Sequence, residues 1–363
     1  MYLSHLSLKN FRSYSELELP LTPGVTIFLG RNGEGKTNIV ESILYLAFLS
    51  SHRTTGDQPL VKLGENAAYV RASIQNPERE ILVELEINTE KANRARINQN
   101  PVRSQKELFG LVQSIYFSPE DLDLVRGDPS ERRRFIDQLL ILRSPRLAGV
   151  ITDYERALKQ RNSLLKTRAS YSSLESWDQQ VAKLGGEIIA ARLSLLNIFE
   201  PLYSSVYADI APGKPAHITY KSSLEELSTN PISNTQTIIK RMFEVRSQEI
   251  DRGLTLVGPH RDDLLLQLGD QPVKGYASHG ESWSIALSLK LTAYKSLLLE
   301  GVKPILILDD VFSELDEERR AQLISLANSA EQTFITVAVE ADLPRDLSGT
   351  IYHIRNGSVK VKT

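Results

Sequence analysis

Residues 30–38 read G-R-N-G-E-G-K-T-N, an order of residue types suited to gripping a polyphosphate. Glycines at 30, 33 and 35 allow successive backbone N–H groups to converge on one point, and a helix starting at Lys36 would aim its positive dipole end at the same place. Lys36 then offers an ammonium group to the β and γ phosphates and Thr37 a hydroxyl to a magnesium ion, the chemistry of the G-x-x-x-x-G-K-[ST] loop. Gly30, Arg31, Asn32, Gly33, Glu34, Gly35, Lys36, Thr37 and Asn38 are thus candidate nucleotide-binding residues, with ATP and Mg2+ as ligands. A glycine-rich turn with a solvated lysine is the alternative.

Such a ligand also needs a carboxylate for its metal, and K-P-I-L-I-L-D-D-V-F-S-E-L-D at 303–316 supplies two. The uninterrupted apolar run Ile305–Leu308 reads as a strand buried on both faces of a parallel sheet. Asp309 and Asp310 follow at its carboxyl end, where open α/β sheets take their ligands. Asp309 would join Thr37 in the metal shell, and Asp310 would orient or activate the attacking water. Paired carboxylates at a strand end are also compatible with a simple helix cap. A third motif, A-S-H-G-E at 277–281, opens an apolar helix. There Ser278 and Gly280 present a hydroxyl and a backbone N–H, an arrangement that suits an anion, although most such turns hold only water.

These residues need elements to position them. Val25–Leu29 is a β-branched, apolar run, and apolar residues return after Thr37 at helical spacing, at Ile39, Ile43, Leu46 and Ala47; the loop is expected between a strand and a helix. The 363 residues suit a domain of about 200 plus a second lobe. With 24% charged and 41% apolar residues the composition is that of a globular protein. The absence of cysteine excludes disulfides and thiolate zinc sites. The six histidines, at 5, 52, 217, 260, 279 and 353, contain no i, i+3 or i, i+4 pair to chelate a transition metal. No apolar run approaches the roughly 20 residues of a membrane helix, and the first residues carry no signal pattern; the expected location is the cytoplasm, with no membrane partner.

The net charge of −2 conceals two poles. Residues 126–168 hold 11 Lys and Arg against 5 Asp and Glu, whereas 300–346 hold 4 against 11. In the basic stretch Arg132, Arg133 and Arg134 fall in the first turns of a helix, where cations oppose the dipole; Lys159 and Arg161 continue the stripe. A nucleic-acid backbone would compensate them, as would pairing with Glu131, Asp137 and Asp153. Arg94 and Arg96 alternate in a hairpin-like stretch that could also grip phosphates. Trp177, Val181, Leu184, Ile188, Ala191, Leu195 and Ile198 follow heptad spacing, and Ile151, Tyr154, Leu158, Arg161 and Leu165 give a second stripe. The expectation is a short antiparallel coiled-coil hairpin whose better helix is about 33 Å long, with ordinary amphipathic bundle helices as the alternative.

The order of the motifs, 30–37, an insertion, 277–281, 309–310 and S-E-L-D at 313–316, resembles that of ATP-binding cassette ATPases. Within that superfamily the chain resembles the RecF family, in LSLKNFRSY (6–14), GRNGEGKTN (30–38), SPEDLDLVRGDPSERRRFID (118–137), YERALKQRN (154–162), GPHRDDL (258–264), ASHGES (277–282) and LDDVFSELD (308–316). The resemblance implies an α/β fold, an ABC-type ATPase head (P-loop NTPase) over 1–117 and 250–363 with an inserted, mainly helical domain at 118–249. It implies a homodimer closed by ATP, in which Ser278, Gly280 and Glu281 of one copy meet the ATP held by Lys36 and Asp309 of the other, with Ser313 and Asp316 in the D-loop. Lys36 and Asp310 would be catalytic in a slow, DNA-modulated ATPase, and Arg12 would approach the adenine or phosphates. It further implies binding to single-stranded, gapped or junction DNA, and work with RecO and RecR to place RecA during repair, replication and the SOS response.

The chain departs from the cassette pattern in four places. His279 and Glu281 replace a glycine and the glutamine of the usual signature, a glutamate near a γ phosphate being electrostatically unfavourable. Asp310 stands where many relatives carry glutamate, implying slower hydrolysis. No histidine follows T-F-I-T-V-A-V, and F-S-P-E-D-L sits where a glutamine loop would fall. Other classes are another SMC-like ATPase, of defence or chromosome function, and a transporter-associated ATPase; the latter usually carries the missing histidine and a full signature. The motif GPHRDDL has no mechanism legible in the sequence, and its His260 reads as a structural hydrogen-bonding residue.

Overall fold

The computed structural model describes residues 1–361 apart from 55, 77, 169, 345 and 356. They form two compact units, Met1–Asp121 with Ala293–Thr363, and Leu122–Thr292. In chain order the first unit contributes β1 (Tyr2–Phe11), β2 (Tyr14–Pro20), β3 (Gly24–Leu29), α1 (Lys36–Phe48), β4 (Ala67–Gln75), β5 (Glu80–Asn88), β6 (Arg94–Ile97), β7 (Asn100–Pro101) and β8 (Ser114–Phe117). The second holds α2 (Asp123–Arg126), α3 (Pro129–Arg143), α4 (Arg146–Lys166), α5 (Tyr171–Ile210), β9 (Ala216–Lys221), α6 (Pro231–Glu244), α7 (Arg246–Arg252), β10 (Asp263–Leu268) and β11 (Gln271–Pro272). Helix α8 (His279–Leu299) begins in the second unit and ends in the first, which finishes with β12 (Ile305–Asp309), α9 (Glu317–Ser329), β13 (Gln332–Val337), β14 (Gly349–Arg355) and β15 (Ser358–Val361).

Two sheets build the first unit. One has the order β15-β14-β3-β13-β12-β8 and is parallel except for β15. Every residue of β12 and β13 is buried, the state that the apolar run Ile305–Leu308 requires of β12, while in β13 the buried Gln332, Thr333 and Thr336 each make a side-chain hydrogen bond. Because β13 lies between β3 and β12, the strand ends that carry the glycine loop and the paired carboxylates are separated by one strand, with Thr336 opposite both Phe28 and Asp309. The other sheet, β2-β1-β4-β5-β6-β7, is antiparallel. Its central strands alternate: Leu6, Leu8, Val70, Ala72, Val83 and Leu85 face the core, and Lys9, Arg71, Glu84 and Glu86 lie on the other face, with one register shift between β1 and β4 at Leu3/His5.

The second unit packs α5 against α4, α6 and β9. Its buried residues on α5 include Leu174, Val181, Ala182, Ile188, Ile189, Leu195, Leu196, Phe199 and Tyr203, a stripe broader than a heptad seam, as bundle helices require. Ile198, the last expected seam residue, is 52% exposed. The helix has 40 residues and spans about 60 Å, so the expected length of about 33 Å is corrected upward; Pro201 is accommodated within it. Gly186 permits close approach to α6, since a Cβ there would lie 2.5 Å from Thr235 Oγ1 and 2.6 Å from the Pro231 carbonyl oxygen.

The unit also contains an antiparallel sheet, β11-β10-β9, which helical periodicity could not announce. The return to the first unit at Ala293 comes later than the residue 250 expected from the motifs, because β9 to β11 and the first two-thirds of α8 cluster with the helices.

Candidate nucleotide site and basic surfaces

The loop after β3 is shaped by its glycines. Gly33 and Gly35 have φ of 84° and 108°, a region in which a side chain is strained. At Gly30 a Cβ would lie 2.4 Å from the Ile354 carbonyl oxygen of β14. Helix α1 starts directly afterwards with Gly35 as N-cap, so its unpaired N–H groups point out of the same turn.

Lys36 is only 3% exposed, yet its Nζ makes long contacts: 3.4 Å to the Arg31 carbonyl oxygen, 3.3 Å to Asn32 Oδ1 and 3.9 Å to Asp310 Oδ2. A buried ammonium so loosely held is matched to an anion of several oxygens. Thr37 Oγ1 donates to Asp309 Oδ1 at 3.2 Å across 272 residues of sequence, and Thr336 donates to the same oxygen.

Burial raises the pKa of Asp309, with the charge of Asp310 adding to it, while hydrogen bonds from Thr336, Tyr116 and Thr37 act the other way. Two adjacent carboxylates in this setting call for a cation, and the donors present, a hydroxyl and a carboxylate, are the hard oxygen ligands that magnesium takes. Asp310 has φ of 50°, a left-handed conformation of the kind found at functional sites. Its backbone N–H donates to Thr336 Oγ1 at 3.0 Å.

Several residues the sequence did not single out complete this wall. Tyr14 donates to the Gly35 carbonyl at 3.2 Å, Arg53 to Asn38 Oδ1 at 3.1 Å, and Tyr116 to Asp309 Oδ2 at 3.0 Å. Their partners lie far away in sequence, and no local pattern marks them. Arg12, expected near the adenine or phosphates, places its guanidinium on Glu41 at 2.8 and 2.6 Å and on the Pro59 carbonyl. Burial opposes ionisation of Glu41, but hydrogen bonds from Arg12 and Ser51, and the charges of Arg12 and Arg53, outweigh it and hold the carboxyl below its ordinary range.

The family model of the RecF/RecN/SMC N-terminal domain matches residues 2–359. A DNA replication and repair protein RecF from Streptomyces avermitilis is 50% identical over 99% of this chain and all of the relative. The chain belongs to the RecF family. Another RecF, from Nocardioides sp., is 45% identical over 99% of each chain. Solved structures of the recombination mediator protein RecF of the RecFOR pathway, one RecF-ATP and one RecF-ATPrS, superpose with TM-scores of 0.91 and 0.92 at 28% identity, covering 100% of this chain and 98% of theirs. An Smc head bound to the C-winged helix domain of ScpA shares the fold alone, with a TM-score of 0.58 at 17% identity. The fold is therefore the ABC-type ATPase head of RecF and Smc proteins, with its additional helical unit.

In this RecF-family chain the signature turn is a reciprocal helix cap. Glu281 N–H donates to Ser278 Oγ at 3.2 Å, and Ser278 N–H donates to Glu281 Oε2 at 2.9 Å, the capping box. Lys214 lies 3.1 Å from Glu281 Oε1. The Ser278 N–H and Lys214 hold the glutamate below its ordinary pKa, so its charge is directed back into its own helix. The Ser278 hydroxyl only accepts in this cap, which leaves its proton available to another acceptor. Gly280 is half-buried. Ser313 and Asp316 are exposed; Ser313 donates to the Asp310 carbonyl at 3.2 Å, and Asp316 caps α9 by accepting from Arg319 N–H at 3.0 Å.

The basic stretch requires correction. Arg161 is 0% exposed and Arg132 5%, so neither is available to DNA. Arg132 is held by Asp263 at 2.7 and 2.9 Å and by the carbonyls of Leu124 and Gly127, which compensate its position in the first turn of α3. Arg161 binds Asp178, Glu249 and Thr255 at 2.6–2.7 Å. Arg133 is half-buried and donates to the Asp262 carbonyl. Arg134 is exposed and pairs with Glu131 at 2.8 Å; Lys159 is exposed.

In the first unit, Arg94 and Arg96 are exposed and lie opposite Glu86 and Glu84 across β5 and β6, where opposite charges support strand pairing. They border a concavity of about 880 Å³ on the outer sheet face, also lined by Lys9, Tyr69 and Arg71. None of its lining residues belongs to the glycine loop or the carboxylate pair.

GPHRDDL acquires a physical role within the second unit. Gly258 has φ of 125°, and a Cβ there would lie 2.6 Å from the Tyr154 hydroxyl oxygen. The Pro259 carbonyl accepts from Arg192, Asp262 accepts from Tyr220 and Ser222 at 2.6 Å, and Asp263 holds Arg132. The motif thus ties α3, α5 and β9 together. His260 Nδ1 lies 2.6 Å from the Tyr154 hydroxyl and Nε2 3.2 Å from the Thr255 carbonyl. Burial, with smaller contributions from nearby arginines, lowers its pKa from the ordinary 6.5 to about 4.

Between those values the unfolded chain binds more protons at His260 than the folded one, so stability is lost as pH falls through this window. The urea midpoint of the second unit is expected to fall from pH 7 to pH 4.5. In His260→Gln the slope of stability against pH should be smaller; an identical slope would exclude His260 as its source.

Among the described residues, no group of three or more His, Asp or Glu is arranged to hold a metal ion by itself. No helix among them is long and apolar enough to cross a membrane.

Proposed function

We propose that this chain is an ATP-dependent, DNA-binding recombination mediator of DNA replication and repair, acting in the cytoplasm. The observation that carries the ATPase part is the convergence of Lys36, Thr37, Asp309 and Asp310, from two strands that β13 alone separates. Lys36 and the N–H groups of residues 30–37 bind the phosphates, and Thr37 and Asp309 would hold Mg2+. Bound there, the ion would neutralise charge on the β and γ phosphates. Asp310 orients the attacking water and accepts its proton, and Lys36 stabilises charge that develops on the transferred phosphoryl group. Water forms the new P–O bond, the β–γ anhydride bond breaks, and ADP and phosphate leave.

The DNA part rests on the replication and repair role of the RecF relatives and on the exposed cations Arg94, Arg96, Arg134 and Lys159. In this reading ATP closes a homodimer in which the Ser278 hydroxyl and the Gly280 N–H meet the partner's γ phosphate, and hydrolysis reopens it. The closed form binds single-stranded, gapped or junction DNA and works with RecO and RecR to load RecA and support SOS induction. Light scattering without nucleotide, with ADP and with ATP, each with and without gapped duplex, tests this. A 40.7 kDa species is expected without ATP, and a dimer with ATP that tightens on gapped DNA. Ser278→Arg should retain ATP binding and remain monomeric; ATP-dependent dimerisation of that variant would overturn the assignment of the turn.

A further inference from the structure

Asp309 uses both carboxylate oxygens. Oδ1 accepts from Thr37 and Thr336, and Oδ2 accepts from the Tyr116 hydroxyl. A phenol has one proton, so with that proton on Asp309 the Tyr116 oxygen accepts in turn from His52 Nε2, 3.1 Å away. The two rings lie 4.6 Å apart, centre to centre. This direction places the proton of a neutral His52 on Nε2.

The residues flanking His52 hold the opposite wall of the site. Ser51 donates to Glu41 Oε1 at 2.6 Å and Arg53 to Asn38 Oδ1 at 3.1 Å, both acceptors lying on α1 just after Thr37. Tyr116 sits on β8, which pairs with β12. Residues 51–53 therefore clasp the phosphate-loop helix on one side and, through Tyr116, the metal-binding carboxylate on the other.

We propose that Tyr116 and His52 are positioning residues for the metal of the nucleotide complex, Tyr116 fixing the rotation of the Asp309 carboxylate and His52 fixing the direction of the Tyr116 hydroxyl. The proposal rests on the ATPase reading above. Without the phenol, Asp309 keeps side-chain donors on Oδ1 only, and its carboxylate is no longer held at both ends. Partners that orient a metal ligand in this way are commonly worth about 10–100-fold in metal affinity.

The test compares binding of fluorescent mant-ATP in Mn2+ with binding in EDTA, the ratio reporting the metal's contribution. In Tyr116→Phe that ratio should fall about tenfold or more, with the EDTA affinity and the thermal midpoint close to those of the unsubstituted protein. His52→Ala should lower the ratio less, His52→Gln should restore it by keeping an N–H donor, and His52→Ala added to Tyr116→Phe should have no further effect. An unchanged ratio in Tyr116→Phe, beside clear Mn2+ dependence in the unsubstituted protein, overturns this proposal alone. Independent, additive losses overturn the linkage through Tyr116. No Mn2+ dependence in the unsubstituted protein overturns the ATPase reading and this proposal with it.

Discussion

Lys36→Ala is expected to lower ATP turnover at least about a hundredfold, the usual consequence of removing a preorganised charge from a developing oxyanion. The expectation follows from how the side chain is held. Its Nζ is buried, its contacts with oxygens are 3.3 Å or longer, and the nearest carboxylate oxygen stands at 3.9 Å. The folded protein therefore gains little from the ammonium itself, and a phosphate chain would gain much. Thermal unfolding without nucleotide should shift only slightly in this variant, whereas stabilisation by ATP should vanish. Phosphate release and a melting curve with and without ATP decide the matter. Turnover within threefold of the unsubstituted protein would remove Lys36 from the site.

The second large effect concerns stability. Arg161→Met should cost the second unit about 3–5 kcal/mol, because removing one partner leaves buried charge unpaired. Arg161 is fully buried, and its three nitrogens meet Asp178, Thr255 and Glu249. Glu249 is also fully buried and accepts from Leu256 N–H at 2.8 Å; Thr255 passes its proton to Asn162 at 2.7 Å. Methionine fills the volume of the side chain but answers neither carboxylate. A fall of about 10 °C in the unit's thermal midpoint is the expected reading. Arg161→Met with Glu249→Gln should recover part of the loss. A change under about 1 kcal/mol would mean that water reaches the cluster and satisfies the carboxylates, contrary to its burial.

The same arginine shows where sequence reading stops. Arg161 falls on the apolar stripe of α4, in step with Tyr154 and Leu165, and that register already pointed inward. Its neighbours in the sequence are basic, which suggested a charged outer surface instead. The acids that claim it lie 17 and 88 residues away, beyond any local pattern. By contrast the glycine loop is legible because its physics is local: three glycines, a lysine and a hydroxyl within eight residues between a strand and a helix. The length of α5 was misread because the heptad match ends at Ile198 while burial continues through Phe199, Tyr203 and Tyr207 on a wider stripe. Glu281 looked unfavourable beside a phosphate until its capping geometry was visible. Tyr116 and Thr336 have no signature, since a single hydroxyl at a strand end acquires meaning only from the strand beside it.

The order β15-β14-β3-β13-β12-β8 has a consequence for the nascent chain. Strand β3 is flanked by β13 and β14, which leave the ribosome roughly 300 residues later. At synthesis rates of about 5–20 residues per second, its hydrogen-bonding edges wait about 15–60 s for their partners. During that interval Val25, Ile27 and Phe28, all buried in the finished sheet, have no permanent neighbours on either side. The antiparallel sheet, whose strands all lie before residue 102, can close meanwhile. The nucleotide loop is thus made roughly 300 residues ahead of the strands that complete its site.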